Sequence, residues 1–305
     1  MLNRRILRIK AFKAVYAIAE NPSISLKEAE SALEKSCEAV RDLYLFLLDI
    51  VPALRGEALR RIDAARSKFN PTEEERNPNM KFVENGISPL LEEDPDFSKI
   101  ISKKHFSWDQ YDVFLRHLFD SVSGKEYFAE YMASPERGIA QDAALFRKIF
   151  EQELEDSEEL AAILEDLSIL WNDDLGYALT WCCRAMDALG KGMRWSLPPL
   201  YASELPGNEK MESDHAFVVN ILRTAHRNFE KYSAAIAGLT PKWDRSRICS
   251  TDLALIIAGQ AEAAAFPATP VKIIINEYVE ISKFYSTPES RSFVNGLLDK
   301  LINTK

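Results

Sequence analysis

Between residues 25 and 69 apolar side chains return every third or fourth position, as in SLKEAESALEKSCEAVRDLYLFLLDIV. That period puts them on one face of a helix; a strand would alternate every second residue. Ser25 followed three residues later by Glu28 has capping-box spacing, and Pro52 breaks or kinks the run. A chain committed to helix over so long a stretch has few fold classes open to it. Composition extends the reading, because Gly supplies only 11 of 305 residues while 47% are hydrophobic. The expectation is an all-α protein with a substantial core.

Further segments carry the same period. Residues 3–19 read as a helix with Ile9, Phe12, Tyr16 and Ala19 on its buried stripe, closed by NPS at 21–23. NPTEEERNPN at 70–79 reads as a polar loop. SWDQYDVFLRHLFDSV and SPERGIAQDAALFRKIFEQELE each begin with a serine suited to N-capping. Residues 156–189 hold one or two apolar-periodic helices, and the Gly and Pro clustered at 190–207 make the best linker. PVKIIINEYVEISKFY contains three consecutive isoleucines, a local strand signal. Over its whole length, however, Val271, Ile274, Ile275, Tyr278, Ile281 and Phe284 trace a helical face. Thr269 suits the cap and Pro270 the first helical position. STPESRS at 286–292 reads as a loop, and SRSFVNGLLDKLI as the closing helix.

Charge is distributed unevenly. The formal net charge is −9, yet the chain starts with Arg4, Arg5, Arg8, Lys10 and Lys13 and has no acid before Glu20. Arginines at a helix N-terminus oppose the macrodipole, so their concentration there suggests a use for the charge. The low pI near 5.2 excludes a bulk nucleic-acid coat protein and leaves room for a local basic patch. Cys37, Cys182, Cys183 and Cys249 form no CxxC pair, which suits a reducing, cytoplasmic compartment. No apolar run is long enough to span a membrane, and the start lacks the apolar stretch of a secretory signal.

Catalytic signals are scarce. Glu212 and His215 have the Glu-x-x-His spacing of di-iron bundles, but such a site needs a second copy and two more carboxylates. There is no HExxH, GxSxG, P-loop or GxGxxG. Asp173, Asp174 and the acids at 151–159 read as solvated helix faces.

The C-terminal stretch is specific. Pro270–Glu277 read PVKIIINE, Val279–Lys283 read VEISK, and Phe293–Lys300 read FVNGLLDK. Together these resemble the C-terminal signature of the NusB family of transcription antitermination factors. The opening RRILRIKAFKAVY resembles that family's arginine-rich first helix, with arginines at 4, 5 and 8 and Val15–Tyr16 after them. Residues 216–262 resemble the intervening layout, including Trp243, Arg247 and Asp252 in W-x-x-x-R-x-x-x-x-D spacing.

The resemblance implies two small helical bundles built from residues 1–20 and 210–305, with 21–209 an inserted or enlarged helical region. It implies a non-enzymatic role without cofactors in rRNA synthesis. The chain would bind boxA-like single-stranded RNA with a small-subunit ribosomal protein, also called NusE, within an RNA polymerase antitermination complex. Arg4, Arg5 and Arg8 would hold phosphates, and Tyr16, Glu289, Ser290 and Arg291 would complete the RNA side. Asp252 would face the protein partner, or act as a plain N-cap. Asn276 and Glu277 read as structural. The chain departs from the family where Ile257 replaces a common arginine. An alternative reading is a helical interaction scaffold that has lost RNA binding. The same module also heads some rRNA cytosine methyltransferases, whose catalytic domain would begin about where this chain ends.

Overall fold

A computed structural model describes residues 1–205, 207–208, 212–240 and 248–303. Trp243 and Arg247, two of the three residues in the W-x-x-x-R-x-x-x-x-D spacing, lie outside them, as does the 209–210 boundary. In chain order the helices are α1 (Arg4–Glu20), α2 (Leu26–Leu48), α3 (Ile50–Arg66), α4 (Glu73–Arg76), α5 (Ile87–Glu92), α6 (Pro95–Lys104), α7 (Asp112–Ser123) and α8 (Glu126–Ala133). They continue with α9 (Ile139–Gln152), α10 (Glu158–Leu167), α11 (Leu175–Gly190), α12 (Asp214–Leu239), α13 (Ser250–Ala265), α14 (Val271–Tyr285) and α15 (Ser290–Ile302). Among the described residues no strand forms, apart from one isolated bridge between Leu2 and Tyr201. The all-α expectation is met.

The chain divides into two compact units, Met1–Glu38 with Pro199–Lys305, and Ala39–Pro198. In the first, α13 is the central helix. Ala254 to Glu262 are buried without a break, which happens only when neighbours cover a helix on all sides. Those neighbours are α1, α12, α14 and α15. Gly259 permits the closest approach, since a Cβ there would lie 2.7 Å from a methyl of Leu298 and 3.3 Å from the Tyr278 ring. Ile257 is fully buried, so the position where the family commonly has an arginine serves the core here.

Helix α1 begins at Asn3, whose side chain accepts from the Ile6 amide. Its buried face is Leu7, Ala11, Val15 and Ile18 together with Phe12, while Ile9 and Ala19 are half-buried and Tyr16 is exposed. The stripe therefore runs one position off the expected one, sharing only Phe12. The expected Ser25–Glu28 capping box forms, with reciprocal bonds of 2.9 and 3.3 Å. That bonding holds the Glu28 carboxyl below its usual range.

The second unit corrects several local readings. The break near Pro52 falls at Asp49, and the proline sits in the first turn of α3, where its missing N–H costs nothing. The 70–79 segment contains α4, started by a complete Thr72–Glu75 capping box. Ser107 and Ser134 close turns ahead of α7 and α9 instead of capping them. Two of the supposedly solvated acids are inside: Asp174 is buried at the start of α11, and Glu153 receives bonds from Ser121 and Tyr127. Stacked Phe46, Trp108 and Trp171 and the Phe82–Phe119–Phe128–Phe146 cluster form the core.

Helix α14 forms over the isoleucine run as expected, with Pro270 itself at the N-cap. It buries Ile274, Ile275, Tyr278 and Ile281, but Phe284 is 83% exposed and leaves the expected face. The 286–292 loop is shorter than expected, because α15 starts at Ser290.

Candidate nucleic-acid interface

The sequence places three arginines at the positive end of α1, and the fold answers each with a carboxylate. Arg4 pairs with Glu212 at 3.0 Å and with buried Asp214 at 3.3 Å, and its guanidinium lies 4.4 Å from the centre of the Phe217 ring. Asp214 is itself fixed by the amide of Ser203, at 2.9 Å. Arg5 makes a two-pronged contact with Glu277, Nε to Oε2 at 3.1 Å and Nη2 to Oε1 at 2.9 Å. Arg8 does the same to Glu262, at 2.9 and 2.7 Å, and its Nη1 comes within 3.6 Å of Glu277.

Burial separates the three. The Arg8 side chain is 7% exposed and Glu262 fully enclosed, so this pair lies inside the bundle. A phosphate would reach Arg8 only by displacing Glu262. The Arg5 side chain is 56% exposed, and its contact with Glu277 uses Nε and Nη2. A guanidinium has five N–H donors, so Nη1 is left for a ligand. Arg4 lies between these extremes.

The electrostatics follow the geometry. The bond from Arg5, opposed in part by burial, holds the Glu277 carboxyl below the usual carboxylate range, and the same bond raises Arg5. Burial on its own would lower Arg8, but the Glu262 carboxylate outweighs it and the net direction is up. Burial beside the Glu262 charge pushes the Tyr278 phenol well up.

A second cluster forms where α14 meets α15. Asp252, in the first turn of α13, is buried and accepts from Ser286 Oγ at 2.5 Å and Ser290 Oγ at 2.7 Å. The carboxylate thereby ties down both ends of the 286–289 loop. Glu289 and Arg291 flank Ser290 and are exposed, and Arg291 makes no ion pair among the described residues. Tyr16 is 38% exposed on α1. One turn earlier, Phe12 packs on Tyr285 with ring centroids 5.3 Å apart, and the Lys13 ammonium lies 5.4 Å from the centre of the same Tyr285 ring.

The fold thus brings α1 to the end of α14 and gathers the 286–291 residues around Asp252. It leaves Arg5, Tyr16, Glu289 and Arg291 open to solvent and commits Arg8, Ser290 and Asp252 to internal bonds. Sequence reasoning missed Glu262, Asp214 and Phe217. One signal was available for Glu262: it is the lone acid inside the apolar run LALIIAGQAEAAA, and a buried charge needs a partner. Among the described residues Glu212 and His215 assemble no metal site; His215 meets the Tyr201 ring edge-on, with centroids 5.5 Å apart, and lies 3.8 Å from Glu34. Among the described residues no group of three or more His, Cys, Asp or Glu is set to hold a metal. No helix among them is long and apolar enough to cross a membrane.

The NusB family model matches residues 196–303. The chain is similar to the transcription antitermination protein NusB of Syntrophotalea carbinolica, 38% identical over 88 residues, covering 29% of this chain and 56% of that protein. The protein of the same name from Acetivibrio thermocellus is 33% identical over 94 residues, covering 31% of this chain and 65% of the relative. That of Clostridium acetobutylicum is 33% identical over 97 residues, covering 32% and 72%. The chain thus spans under two thirds of the length of the first two of these relatives. No solved structure matches.

Proposed function

The chain belongs to the NusB family, and from that membership we propose that its first compact unit binds boxA-like single-stranded RNA. In this reading it acts without catalysis, alongside a small-subunit ribosomal protein also called NusE, in an antitermination complex on RNA polymerase.

The observation that carries the reading is the exposure of Arg5 on α1 and of Glu289 and Arg291 at the start of α15, beside Arg4 and Arg8, which are held in acid pairs. Arg5 supplies a phosphate contact through Nη1 while Glu277 holds its plane. Arg291 supplies a second, and Arg4 a weaker one at the edge of its acid pair. Tyr16 offers a ring and hydroxyl to a base, and Glu289 accepts from a base amine. Arg8 supports the site from beneath, keeping α1 at a set rotation. Ser290 and Asp252 hold the loop, and Asp252 reaches the protein partner through that loop.

The test is binding of a short boxA-like RNA, with and without the ribosomal protein, at two salt concentrations. The expected result is affinity that the protein strengthens and salt weakens. Arg5→Ala should weaken binding and make the log–log salt slope shallower by about 1. Absence of RNA binding under every condition, from a folded protein, would overturn the reading.

One observation favours a second reading. Each arginine of the first helix already has a carboxylate partner, so the cationic face is largely neutralised. A scaffold that has given up RNA would look like this, and its protein complexes would survive nuclease unchanged.

A further inference from the structure

Phe284 is out of place on its own helix. The buried stripe of α14 passes through Ile274, Tyr278 and Ile281 and ends at Tyr285, whose ring rests on Phe12. Phe284, one residue earlier, is 83% exposed and packs against no other ring among the described residues. Single exposed hydrophobics are ordinary, so exposure alone proves nothing. The surroundings are the informative part. The Phe12–Tyr285 contact joins the turn of α14 that carries Phe284 to the part of α1 that carries Lys13 and exposed Tyr16. After Phe284 the chain runs through the 286–289 loop into Arg291. The solvent-facing residues next to it along the chain are Lys283, Thr287, Pro288, Glu289 and Arg291, of which only Pro288 is apolar. They make no continuous apolar patch of the kind a protein partner's core would require.

We propose that Phe284 is a base-stacking residue of this surface; the proposal rests on the RNA-binding reading above. A flat ring held in water, with Arg291 a few residues on and Lys283 beside it in an ion pair with Glu280, is the kind of surface single-stranded nucleic acid uses. The bases lie on the ring while phosphates pass over Lys and Arg. Phe has no hydrogen-bonding group, so the contact tolerates any base. Sequence discrimination then falls to groups such as Tyr16 and Glu289. The binding surface thereby extends from Arg5 at the start of α1 to the C-terminal half of that helix and the end of α14.

The test uses the full chain and a boxA-like single-stranded RNA carrying 2-aminopurine at successive positions. Phe284→Ala should bind about tenfold more weakly with an unchanged salt slope, since stacking releases no counterions. It should also lose the fluorescence quenching at one position. Phe284→Trp should restore both. Arg291→Ala should instead make the salt slope shallower. Because Phe284 is exposed, all Phe284 variants should melt like the wild type. If the wild type binds RNA and Phe284→Ala or Phe284→Leu binds equally well, stacking is overturned and the RNA reading stands. If the wild type binds no RNA, both fall.

Discussion

Arg8 and Glu262 face each other inside the first unit, Nη2 to Oε1 at 2.7 Å, with neither side chain open to solvent. The pair explains how the arginine-rich start of α1 is tolerated. What looks like a cationic surface is in part the polar interior of a bundle. Breaking such a pair by removing one partner leaves a buried charge without compensation. Arg8→Ala should therefore lower stability by about 3–5 kcal/mol. Replacing both partners with apolar residues, as in Arg8→Met with Glu262→Leu, should cost much less. Denaturant unfolding reads both, and an Arg8→Ala protein of unchanged stability would contradict the enclosed geometry.

Gly259 sets the distance between α13 and its neighbours. A methyl group there meets Leu298 at 2.7 Å and the Tyr278 ring at 3.3 Å. Gly259→Ala should destabilise by about 1–3 kcal/mol through overpacking, despite alanine's higher helix propensity. A neutral or stabilising effect in thermal unfolding would show that the helices have room to separate.

Asp252 is expected to act on the loop before it acts on any ligand. Asp252→Ala removes the acceptor shared by Ser286 and Ser290 and should cost about 1–3 kcal/mol. Amide exchange over residues 286–292 should rise more than elsewhere. Asp252→Asn keeps one acceptor oxygen and should lie between. Unchanged exchange in Asp252→Ala would mean that the loop is held by other contacts.

In the second unit, burial, with the charges of Asp109 and Glu92 adding to it, pushes the Asp49 carboxyl from 3.8 up to about 7. A raised folded value means the folded state holds its proton longer than the unfolded chain. Its contribution to stability is complete below pH 3.8 and is lost as pH rises towards 7. Asp49→Asn should therefore be more stable than the wild type at about pH 8, with the difference shrinking towards about pH 4. Parallel stability curves for the two proteins would place Asp49 in contact with water.

The elements were legible where a long period or a capping box spoke for them. Helix α14 could be read through its isoleucines because its length gave the period time to appear. The Ser25–Glu28 box could be read because both partners are local. The Thr72–Glu75 box was equally local but was obscured by Asn and Pro on either side. The last turn of α14 was ambiguous, since the three-residue step from Ile281 reaches Phe284 and the four-residue step reaches Tyr285. Phe12, across the bundle, decided for Tyr285. The partners of the arginines were illegible for a related reason. Nothing near residue 8 announces an acid at 262, and a helix start rich in arginine reads the same whether it meets phosphate or carboxylate. The C-terminal signature was legible as family resemblance, and α15 accounts for part of it by supplying Val294, Leu297 and Leu298 to the core.

The Arg8–Glu262 pair joins residues 254 positions apart. On a ribosome adding about 5–20 residues each second, α1 emerges roughly ten to fifty seconds before its carboxylate exists. During that interval α1 can pack on α12 once that helix is made, but it lacks α13, and Arg8 carries an unmatched charge. The first helix made is thus among the last to be seated. A nascent chain halted before α13 would leave Arg8 of this basic, amphipathic segment without the carboxylate that the finished protein gives it.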